Sequence, residues 1–426
     1  MSAPPAALEV APRGPLDARV RVPGSKSVTN RALVTAALAP GVGRLRGALD
    51  SDDTRVMREC LAALGCPVEP SGDAWTVAGG GGRLRAPQAP LFVGNSGTTA
   101  RFLCAAACLA DGPVTIDGTP RMRERPIDDL TRALAQLGGR SRIEGRDGCP
   151  PLRVEGGGLA GGAARIDASR SSQFVSAVLL AAPYAARDVA LRFEGGVLVS
   201  RPYVDLTLDL MRDYGARAEW RGEAEIFVEA GAHYAARDYS VEADASSAAY
   251  PLCAAAIAGG RVRVDSLDPK TRQPDLGLVG LLEGMGCGVE TGPDWVAVSA
   301  PAGGLRGLDA DMNDLPDAVL ALAVVALFAK GTTHIRNVAN LRIKETDRLA
   351  ALETELRKLG AKAHSDADSL HIEPGPVRGA AIDTYDDHRM AMAFALAGLR
   401  VPGVVIRDPG CVSKTWPDYF GMLESL

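Results

Sequence analysis

One pattern of apolar and polar positions recurs six times along the 426-residue chain. In each copy a small or polar cluster opens an Ala- and Leu-rich helical segment, the chain then turns, and a run of β-forming residues follows. The copies begin near Ser25, Ser96, Ser171, Ser246, Asp314 and Asp386. Their spacing of about 70 residues is longer than the usual solenoid periods. The pattern predicts six similar supersecondary units.

A second type of helix alternates with the first. It begins at Asp or Thr-Asp, ends at Leu-Gly or a similar stop, and leads into a strand. Acidic residues at a helix start and glycine after its end match the capping and dipole preferences of helices. The copies are DDTRVMRECLAALGCPVE, DDLTRALAQLGGRSRIE, VDLTLDLMRDYGARAEW, DLGLVGLLEGMGCGVE, TDRLAALETELRKLGAKAH and PDYFGMLESL. Each unit is therefore predicted to run strand–helix–strand–helix–strand, and its length allows one more strand.

Six such units divide naturally into two domains of three, in line with a chain too long for one ordinary core. The strands exclude a simple helical bundle. A doubly wound sheet is disfavoured because no GxGxxG follows a first strand, and the GGGG at 79–82 has no helix after it. Helices of the first type are apolar on nearly all sides, so we expect them to be buried inside each domain.

The starts of these buried helices are candidate anion sites. A helix N-terminus carries free N–H groups and partial positive charge, so several converging on one cleft would hold phosphate and carboxylate groups. Basic residues at or near element starts are Lys26, Arg31, Arg101, Arg125, Lys344, Arg348, Arg389 and Lys414. The net charge of the chain is −5. If these cations converge, they would therefore create a local positive potential that the overall charge of the chain does not provide.

Composition argues against several classes of protein. A net charge of −5 without a basic tail makes nucleic acid an unexpected partner. The longest apolar stretch, Ala318 to Ala329, is too short to span a bilayer. The first residues lack the pattern of a signal peptide, so the cytoplasm is the expected compartment. The eight cysteines form no CxxC pair and no zinc-type spacing, so we expect reduced thiols.

Most of the polar helix starts also have a purely structural explanation. Ser171 is a suitable ordinary N-cap, and Ser200 fits a routine strand-to-helix turn. Lys344 and Arg348 are four residues apart, which is also the spacing of a surface charge lattice. Asp317 fits a plain cap position. Residue by residue, these alternatives stay open, and only the combination of motifs separates them.

Nine motifs in combination resemble the EPSP synthase family. They are GSKSVTNRAL, GNSGTTAR, RMRERPI, RSSQF, SRPYVD, NDLPDA, NLRIKETDRL, YDDHRMAM and SKTWPDYF. They follow the order of the family and cover nearly the whole chain. The resemblance implies an α/β fold of two domains, each with three βαβαββ units and buried helices, similar to an inverse α/β barrel. The domains would be residues 1–22 with 243–426, and 23–242, joined by a two-strand hinge with the active site in the cleft.

The resemblance also implies an activity: transfer of the carboxyvinyl group of phosphoenolpyruvate to the 5-hydroxyl of shikimate 3-phosphate, in the pathway to aromatic amino acids. Phosphate would leave through a tetrahedral ketal intermediate. One group must move a proton at the vinyl carbon and another at the hydroxyl. We assign Asp317 to the hydroxyl proton and Glu345 to the methyl proton, with Lys26 as an alternative shuttle. No metal, other cofactor or macromolecular partner is expected, and the chain would be a monomer.

Two sets of substrate-binding residues follow from the same resemblance. Those expected to bind shikimate 3-phosphate are Lys26, Ser27, Arg31, Ser171, Ser172, Gln173, Ser200, Tyr203, Asp317, Asn340 and Lys344. Those expected to bind phosphoenolpyruvate are Lys26, Gly97, Arg125, Gln173, Arg348, His388, Arg389 and Lys414. His388 and Glu345 would border the reacting atoms. Phe102 departs from the family pattern, since some members have proline there, which leaves the packing around Gly97 open.

Two rival functions share the expected fold. The sister enolpyruvyl transferase that acts on UDP-N-acetylglucosamine carries a cysteine in a loop just before an Arg-Pro pair. The equivalent stretch here, Gly118 to Pro126, contains none, so that activity is less favoured. A non-catalytic phosphate-binding scaffold is the other rival. Loss of any of Lys26, Asp317, Glu345 or Lys414 would indicate it, and all four are present.

Overall fold

The structure is a computed structural model that describes residues 5–426. The chain divides into two compact units. The continuous unit is Lys26–Val241, and the split unit combines the chain up to Ser25 with Glu242–Leu426. The sequence predicts that the split unit's first segment ends at residue 22. The split unit extends further because Gly24 pairs antiparallel with Ala243, which continues the β-structure of the two segments side by side.

Short strands and helices alternate through the described chain. The strands are β1 (Ala7–Val10), β2 (Leu16–Arg21), β3 (Pro40–Arg46), β4 (Val68–Ser71), β5 (Ala74–Gly80), β6 (Leu91–Phe92), β7 (Val114–Asp117), β8 (Ser141–Ile143), β9 (Leu152–Val154), β10 (Gly162–Ala168), β11 (Val189–Leu198), β12 (Ala218–Trp220), β13 (Glu225–Val228), β14 (Asp238–Ser240), β15 (Gly260–Asp265), β16 (Gly288–Thr291), β17 (Trp295–Ser299), β18 (Asp309–Asp311), β19 (Thr333–Arg336), β20 (Lys362–Ser365), β21 (Leu370–Glu373), β22 (Ala381–Ile382) and β23 (Val404–Arg407).

The α-helices are α1 (Lys26–Leu38), α2 (Asp52–Ala63), α3 (Gly97–Ala106), α4 (Asp128–Gln136), α5 (Ser172–Ala181), α6 (Arg201–Asp213), α7 (Ala245–Ala258), α8 (Leu278–Gly284), α9 (Val319–Ala326), α10 (Arg348–Lys358), α11 (His388–Gly398) and α12 (Tyr419–Ser425). Short 3-10 helices lie at Ala107–Leu109, Met122–Glu124, Ala182–Tyr184, Pro274–Gly277, Pro316–Ala318, Ala339–Ile343 and Pro409–Lys414. No helix within residues 5–426 has both the length and the apolar character needed to cross a bilayer.

The strands form three sheets in each unit, and the sheets repeat one topology. The orders are β14-β3-β5-β4, β6-β7-β9-β8 and β10-β11-β13-β12 in the continuous unit, and β16-β17-β15-β2, β18-β19-β21-β20 and β1-β23-β22 in the split unit. In each four-stranded sheet one pair is parallel and the next two pairs are antiparallel. A strand, a crossover helix, a parallel strand, a second helix and a hairpin follow one another along the chain in three of these sheets, β6-β7-β9-β8, β10-β11-β13-β12 and β18-β19-β21-β20. In the other two, β3 and β15 take their parallel partners, β14 and β2, from distant segments. The predicted α/β class with repeated βαβαββ units is confirmed.

Helices of the first type lie inside the units, as their apolar sequences predict. Every residue of α3, α9 and α11 is buried. Helix α9 is shorter than the apolar run from Ala318 to Ala329, because its final turns tighten into bonds between residues three apart, such as Phe328 N–H to the Val325 carbonyl. Each unit has its own hydrophobic core around these helices, which is what independent domains require.

Candidate active site

Polar residues lie at or directly before the starts of the three buried helices of the continuous unit. Helices α1, α3 and α5 start at Lys26, Gly97 and Ser172. The Ser96 hydroxyl accepts from the Thr99 N–H at 3.4 Å, and the Ser171 hydroxyl accepts from the Gln173 N–H at 3.2 Å. Ser171 therefore serves as the N-cap that its sequence position suggested. The remaining N–H groups of the same turn still point outward along the helix axis, where an anion can accept from them.

Arg31 links the N-terminal halves of α1, α5 and α6. Its Nε donates to Thr207 Oγ1 in α6 at 2.7 Å, and its Nη2 donates to Ser176 Oγ in α5 at 3.4 Å and to the Tyr203 carbonyl at 3.1 Å. Its Nη1 donates to the Ser27 carbonyl at 3.0 Å. These bonds use four of the five guanidinium N–H donors. Burial lowers the pKa of Arg31 to about 10, which still leaves it charged at neutral pH.

Replacing Arg31 with alanine should therefore destabilise the fold as well as the site. Buried acceptors left without a donor cost about 1–3 kcal/mol each, so we expect a loss of roughly 3 kcal/mol in the free energy of unfolding. Denaturant titration measures this loss. The control is Arg55→Ala, an arginine in α2 with 54% side-chain exposure and an ion pair to Asp52, which should change stability by less than about 0.5 kcal/mol. Equal effects of the two variants would contradict the role of Arg31.

Gly97 leaves space for two guanidinium groups over the start of α3. A Cβ atom at this position would lie 2.5 Å from Arg101 Nη1 and 2.5 Å from Arg125 Nη2, closer than real Cβ contacts. Arg125 Nη1 donates to the Asn95 carbonyl at 2.9 Å and to Asn95 Oδ1 at 3.1 Å. Arg101 Nη2 donates to the Pro126 carbonyl at 3.2 Å. The loop that carries Arg125 is thus fixed beside a positively polarised helix N-terminus.

The other predicted residues of the continuous unit lie at the same helix starts. The Lys26 ammonium lies 3.3 Å from Asp53 Oδ2, and its side chain is 13% exposed. Gln173 Nε2 donates to Thr98 Oγ1 at 3.3 Å, which links α5 to α3. Ser200 precedes α6 with a left-handed backbone (φ +53°), and Tyr203 lies in the first turn of that helix.

In the split unit, three carboxylates surround Arg348. Its Nε and Nη2 donate to the two carboxylate oxygens of Asp387 at 2.7 and 3.1 Å. Its Nη2 is also 2.9 Å from Glu345 Oε2, and its Nη1 donates to Asp317 Oδ1 at 3.1 Å. The side chain is only 1% exposed. Burial works against its charge, but Asp387, Glu345 and Asp317 outweigh burial and raise the pKa of Arg348 above its usual value.

Asp317 lies among three cations, two from residues 344–348 and one from α11. Arg389 Nη2 donates to its Oδ2 at 2.8 Å, Arg348 binds its Oδ1, and Lys344 Nζ is 4.0 Å from the same oxygen. Its side chain retains 20% exposure. The group is thus an oriented carboxylate that a ligand can still reach. Tyr250 completes the environment of Arg389, since its hydroxyl accepts from Arg389 Nη1 at 3.4 Å.

A strained turn positions His388 and Arg389 beside the charged residues around Asp317. Tyr385 and Asp386 are consecutive left-handed residues, with φ of +57° and +54°, a conformation that residues other than glycine adopt at a cost. The Tyr385 hydroxyl donates to Glu355 Oε1 at 2.7 Å, and Glu355 is fully buried in α10. The turn ends at the α11 N-cap, where Asp387 Oδ1 accepts from the Arg389 N–H at 2.9 Å.

Three further predicted residues lie near this turn or lead into the cluster. His388 is fully buried, with its Nδ1 3.6 Å from Asp387 Oδ1. Lys414 ends the 3-10 helix Pro409–Lys414 and faces Asp386, whose pKa is raised by burial and lowered in part by this lysine. Asn340 is buried in the 3-10 helix that leads into Lys344.

Comparison with known proteins decides the family. The family model described as EPSP synthase (3-phosphoshikimate 1-carboxyvinyltransferase) matches residues 10–423. The chain belongs to the EPSP synthase family.

Relatives named 3-phosphoshikimate 1-carboxyvinyltransferase match across the chain. The one from Nostoc punctiforme is 48% identical over 95% of each chain, and the one from Photobacterium profundum is 48% identical over 98% of each. The solved EPSP synthase from Acinetobacter baumannii has a TM-score of 0.80 at 26% identity, covering 98% of this chain and 97% of its own. The enolpyruvyl transferase NikO from Streptomyces tendae has a TM-score of 0.78 at 21% identity, covering 99% of this chain and 97% of its own, and shares the fold.

Within each unit of this EPSP synthase family member, the predicted residues gather at helix starts and adjoining loops. Sequence reasoning missed the neighbours that hold them. These are Asp53 beside Lys26, Asn95 beside Arg125, Thr98 beside Gln173, Tyr250 beside Arg389, and Glu355 beside Tyr385. Asn95 and Thr98 lie in the motif GNSGTTAR, and Asp53 lies at the start of DDTRVMRECLAALGCPVE, so the sequence marks these segments but not their pairings. Tyr250 and Glu355 lie inside α7 and α10 and carry no pattern of their own.

Proposed function

We propose that this chain is a 3-phosphoshikimate 1-carboxyvinyltransferase, which transfers the carboxyvinyl group of phosphoenolpyruvate to the 5-hydroxyl of shikimate 3-phosphate and releases phosphate. Family membership carries the proposal, because the family model spans residues 10–423 and relatives of that name are 48% identical over nearly the full length of both chains. The two substrates together carry two phosphates and two carboxylates. A protein with net charge −5 must concentrate its cations to hold them.

The continuous unit supplies anion-binding groups for both substrates. The starts of α1, α3 and α5 combine backbone N–H donors with Lys26 and Arg125, which suits phosphate and carboxylate oxygens. For shikimate 3-phosphate this unit would contribute Lys26, Ser27, Arg31, Ser171, Ser172, Gln173, Ser200 and Tyr203. For phosphoenolpyruvate it would contribute Lys26, Gly97, Arg125 and Gln173. Arg31 acts mainly by fixing α5 and α6, since most of its donors are used within the protein.

The split unit supplies the remaining cations and the carboxylates for proton transfer. Asp317, Asn340 and Lys344 would contact shikimate 3-phosphate. Arg348, His388, Arg389 and Lys414 would contact phosphoenolpyruvate. Arg348 is enclosed by carboxylates, so an incoming anion would compete with Asp317 and Glu345 for its donors. That exchange would release both carboxylates toward the reacting atoms when substrate arrives.

The proposed chemistry needs two proton movements. Protonation of the vinyl CH₂ gives C2 oxocarbenium character, and the 5-hydroxyl then attacks C2 while it loses its proton. The tetrahedral ketal phosphate breaks its C–O bond to phosphate and loses a methyl proton. Asp317 takes the hydroxyl proton and Glu345 moves the methyl proton, with Lys26 as the alternative shuttle. Fixed cations stabilise the phosphate and carboxylate charges as they shift.

This mechanism requires residues of both units to act on one pair of substrates, as the family resemblance implies. The proposed enzyme works as a monomer in the cytoplasm on these two small molecules. Transfer to UDP-N-acetylglucosamine is the less favoured alternative, since the stretch from Gly118 to Pro126 contains no cysteine.

A phosphate-release assay tests the proposal. The purified chain with phosphoenolpyruvate should release phosphate only when shikimate 3-phosphate is also present. The control replaces shikimate 3-phosphate with UDP-N-acetylglucosamine, which should give no release above background. Phosphate release only with the uridine sugar would indicate the sister activity in place of the proposed one. No release with either acceptor would reject catalysis.

A further inference from the structure

Arg170 connects the start of α5, which the proposed function assigns mainly to shikimate 3-phosphate, with the segment after Arg125, which it assigns to phosphoenolpyruvate. It directly precedes Ser171, the N-cap of α5, and its Nε donates to Asp129 Oδ2 at 2.5 Å while its Nη2 donates to Asp128 Oδ1. Asp128 and Asp129 are the first two residues of α4, three and four positions after Arg125. A planar guanidinium that binds two carboxylates has its position and its orientation fixed.

The receiving end of this contact is well anchored. The Asp129 side chain is only 1% exposed. Removal of Arg170 would therefore leave the buried Asp129 carboxylate with one cation fewer to offset the cost of its burial. Helix α4 is in turn attached to β10, because Gln136 donates to the Arg165 carbonyl at 2.8 Å and accepts from the Arg165 N–H at 2.9 Å. Arg170 thus docks the start of α5 onto a rigid support.

We infer that Arg170 is a positioning residue that holds Ser171, Ser172 and Gln173 in the geometry needed for shikimate 3-phosphate. This inference rests on the proposed function for its substrate but on geometry for its mechanism. Segment 171–173 follows directly from Arg170, so the ion pair limits where the α5 N-terminus can lie. Arg125 keeps two bonds to Asn95 of its own, so the phosphoenolpyruvate side depends less on this contact.

Arg132 provides a matched control within the same cluster. It binds the same two carboxylates, with its Nη1 2.5 Å from Asp128 Oδ2 and its Nη2 in contact with Asp129 Oδ1. It lies in the same helix as those aspartates, however, and its side chain is 61% exposed. Loss of Arg132 removes comparable charge from the cluster without disconnecting α5. A difference between Arg170→Ala and Arg132→Ala therefore reports the connection itself.

Hydrogen exchange tests the positioning role without any assay of activity. In Arg170→Ala, the hydrogen-bonded backbone amides at the start of α5, in residues 173–177, should exchange at least about tenfold faster than in the unsubstituted protein, since the helix start opens more often. Arg132→Ala should leave them unchanged. Arg170→Lys should fall between, because lysine restores the charge but not the two-point contact. Unchanged exchange in Arg170→Ala, or equal acceleration in Arg132→Ala, would overturn the inference.

Steady-state kinetics then test the link to substrate. The KM for shikimate 3-phosphate should rise about tenfold or more in Arg170→Ala, with a smaller change in the KM for phosphoenolpyruvate and in kcat, because misplaced binding groups weaken the contacts they make. Arg170→Lys should recover part of the loss. If the unsubstituted chain is inactive, the proposed function fails while the exchange result still stands. A fall in kcat with both KM values unchanged would refute a role in holding shikimate 3-phosphate.

Discussion

Replacing Asp317 with alanine is expected to lower kcat by about 10²–10⁴-fold, the usual contribution of a general acid or base. Shikimate 3-phosphate should still bind, since most of its proposed ligands belong to the continuous unit. Asp317 is the carboxylate that Arg348, Arg389 and Lys344 orient, and it retains enough exposure to reach a ligand. Steady-state kinetics give kcat, and calorimetric titration with shikimate 3-phosphate gives the affinity.

The variant also removes a partner from two buried arginines, so stability must be measured beside activity. Asp317→Asn keeps the shape and two hydrogen-bonding atoms of the side chain but cannot take up the proton, and it should be nearly as inactive. Asp309→Ala is the control, because this exposed aspartate also pairs with an arginine, Arg336 at 2.6 Å, but lies in β18. Its kcat should be unchanged. A loss below tenfold in Asp317→Ala would remove Asp317 from catalysis.

Replacing Lys26 with alanine should abolish measurable turnover and weaken the binding of both substrates. Lys26 is the first residue of α1, its side chain is only 13% exposed, and it is the lysine that both proposed substrate sets share. An ammonium in such a site interacts strongly with anions because little water screens it. Separate titrations with shikimate 3-phosphate and phosphoenolpyruvate should both show reduced affinity, beside steady-state kinetics.

Two further variants isolate the role of this ammonium. Lys26→Arg retains the charge but changes its shape, so it should bind anions better than Lys26→Ala and still turn over poorly. Lys362→Ala removes a lysine that is 79% exposed and pairs with Glu373, and it should behave as the unsubstituted chain does. Kinetics close to normal in Lys26→Ala would contradict the shared role.

The sequence predicts the helix starts well because caps and turns are local. Serines or aspartates placed at the predicted starts do accept N-terminal N–H groups, as at Ser96 and Ser171. Apolar content on every side correctly predicts buried helices, and the repeats predict the alternation of strands and helices within each unit. Helix α6 shows the limit of the pattern. It starts at Arg201, one turn before the aspartate that marks the repeat, because Ser200 takes a left-handed conformation and Pro202 suits a first helical turn.

Partner choice among charged residues was not predictable, because it depends on tertiary distances. Nothing in the local sequence states that Arg348 meets Asp387, which lies 39 residues further along the chain. Nor does any pattern indicate that Glu355 accepts a hydrogen bond from Tyr385, since a glutamate inside α10 is typical of an exposed surface position. The residue types of the site follow from the sequence, while the ion pairs that fix their geometry follow from the packing of the repeats.

The division of the chain into a continuous and a split unit has a consequence for synthesis on the ribosome. All strands of the continuous unit are complete once Val241 has emerged. By contrast, β1 pairs Ala7 with Arg407, and β2 pairs Leu16 with Gly260. We therefore expect the continuous unit to fold first on the nascent chain, while β2 waits for residues 260–265 and β1 waits for residues 404–407, near the end of translation. Chains stalled after residue 241 should already resist protease across residues 26–241 but not before them.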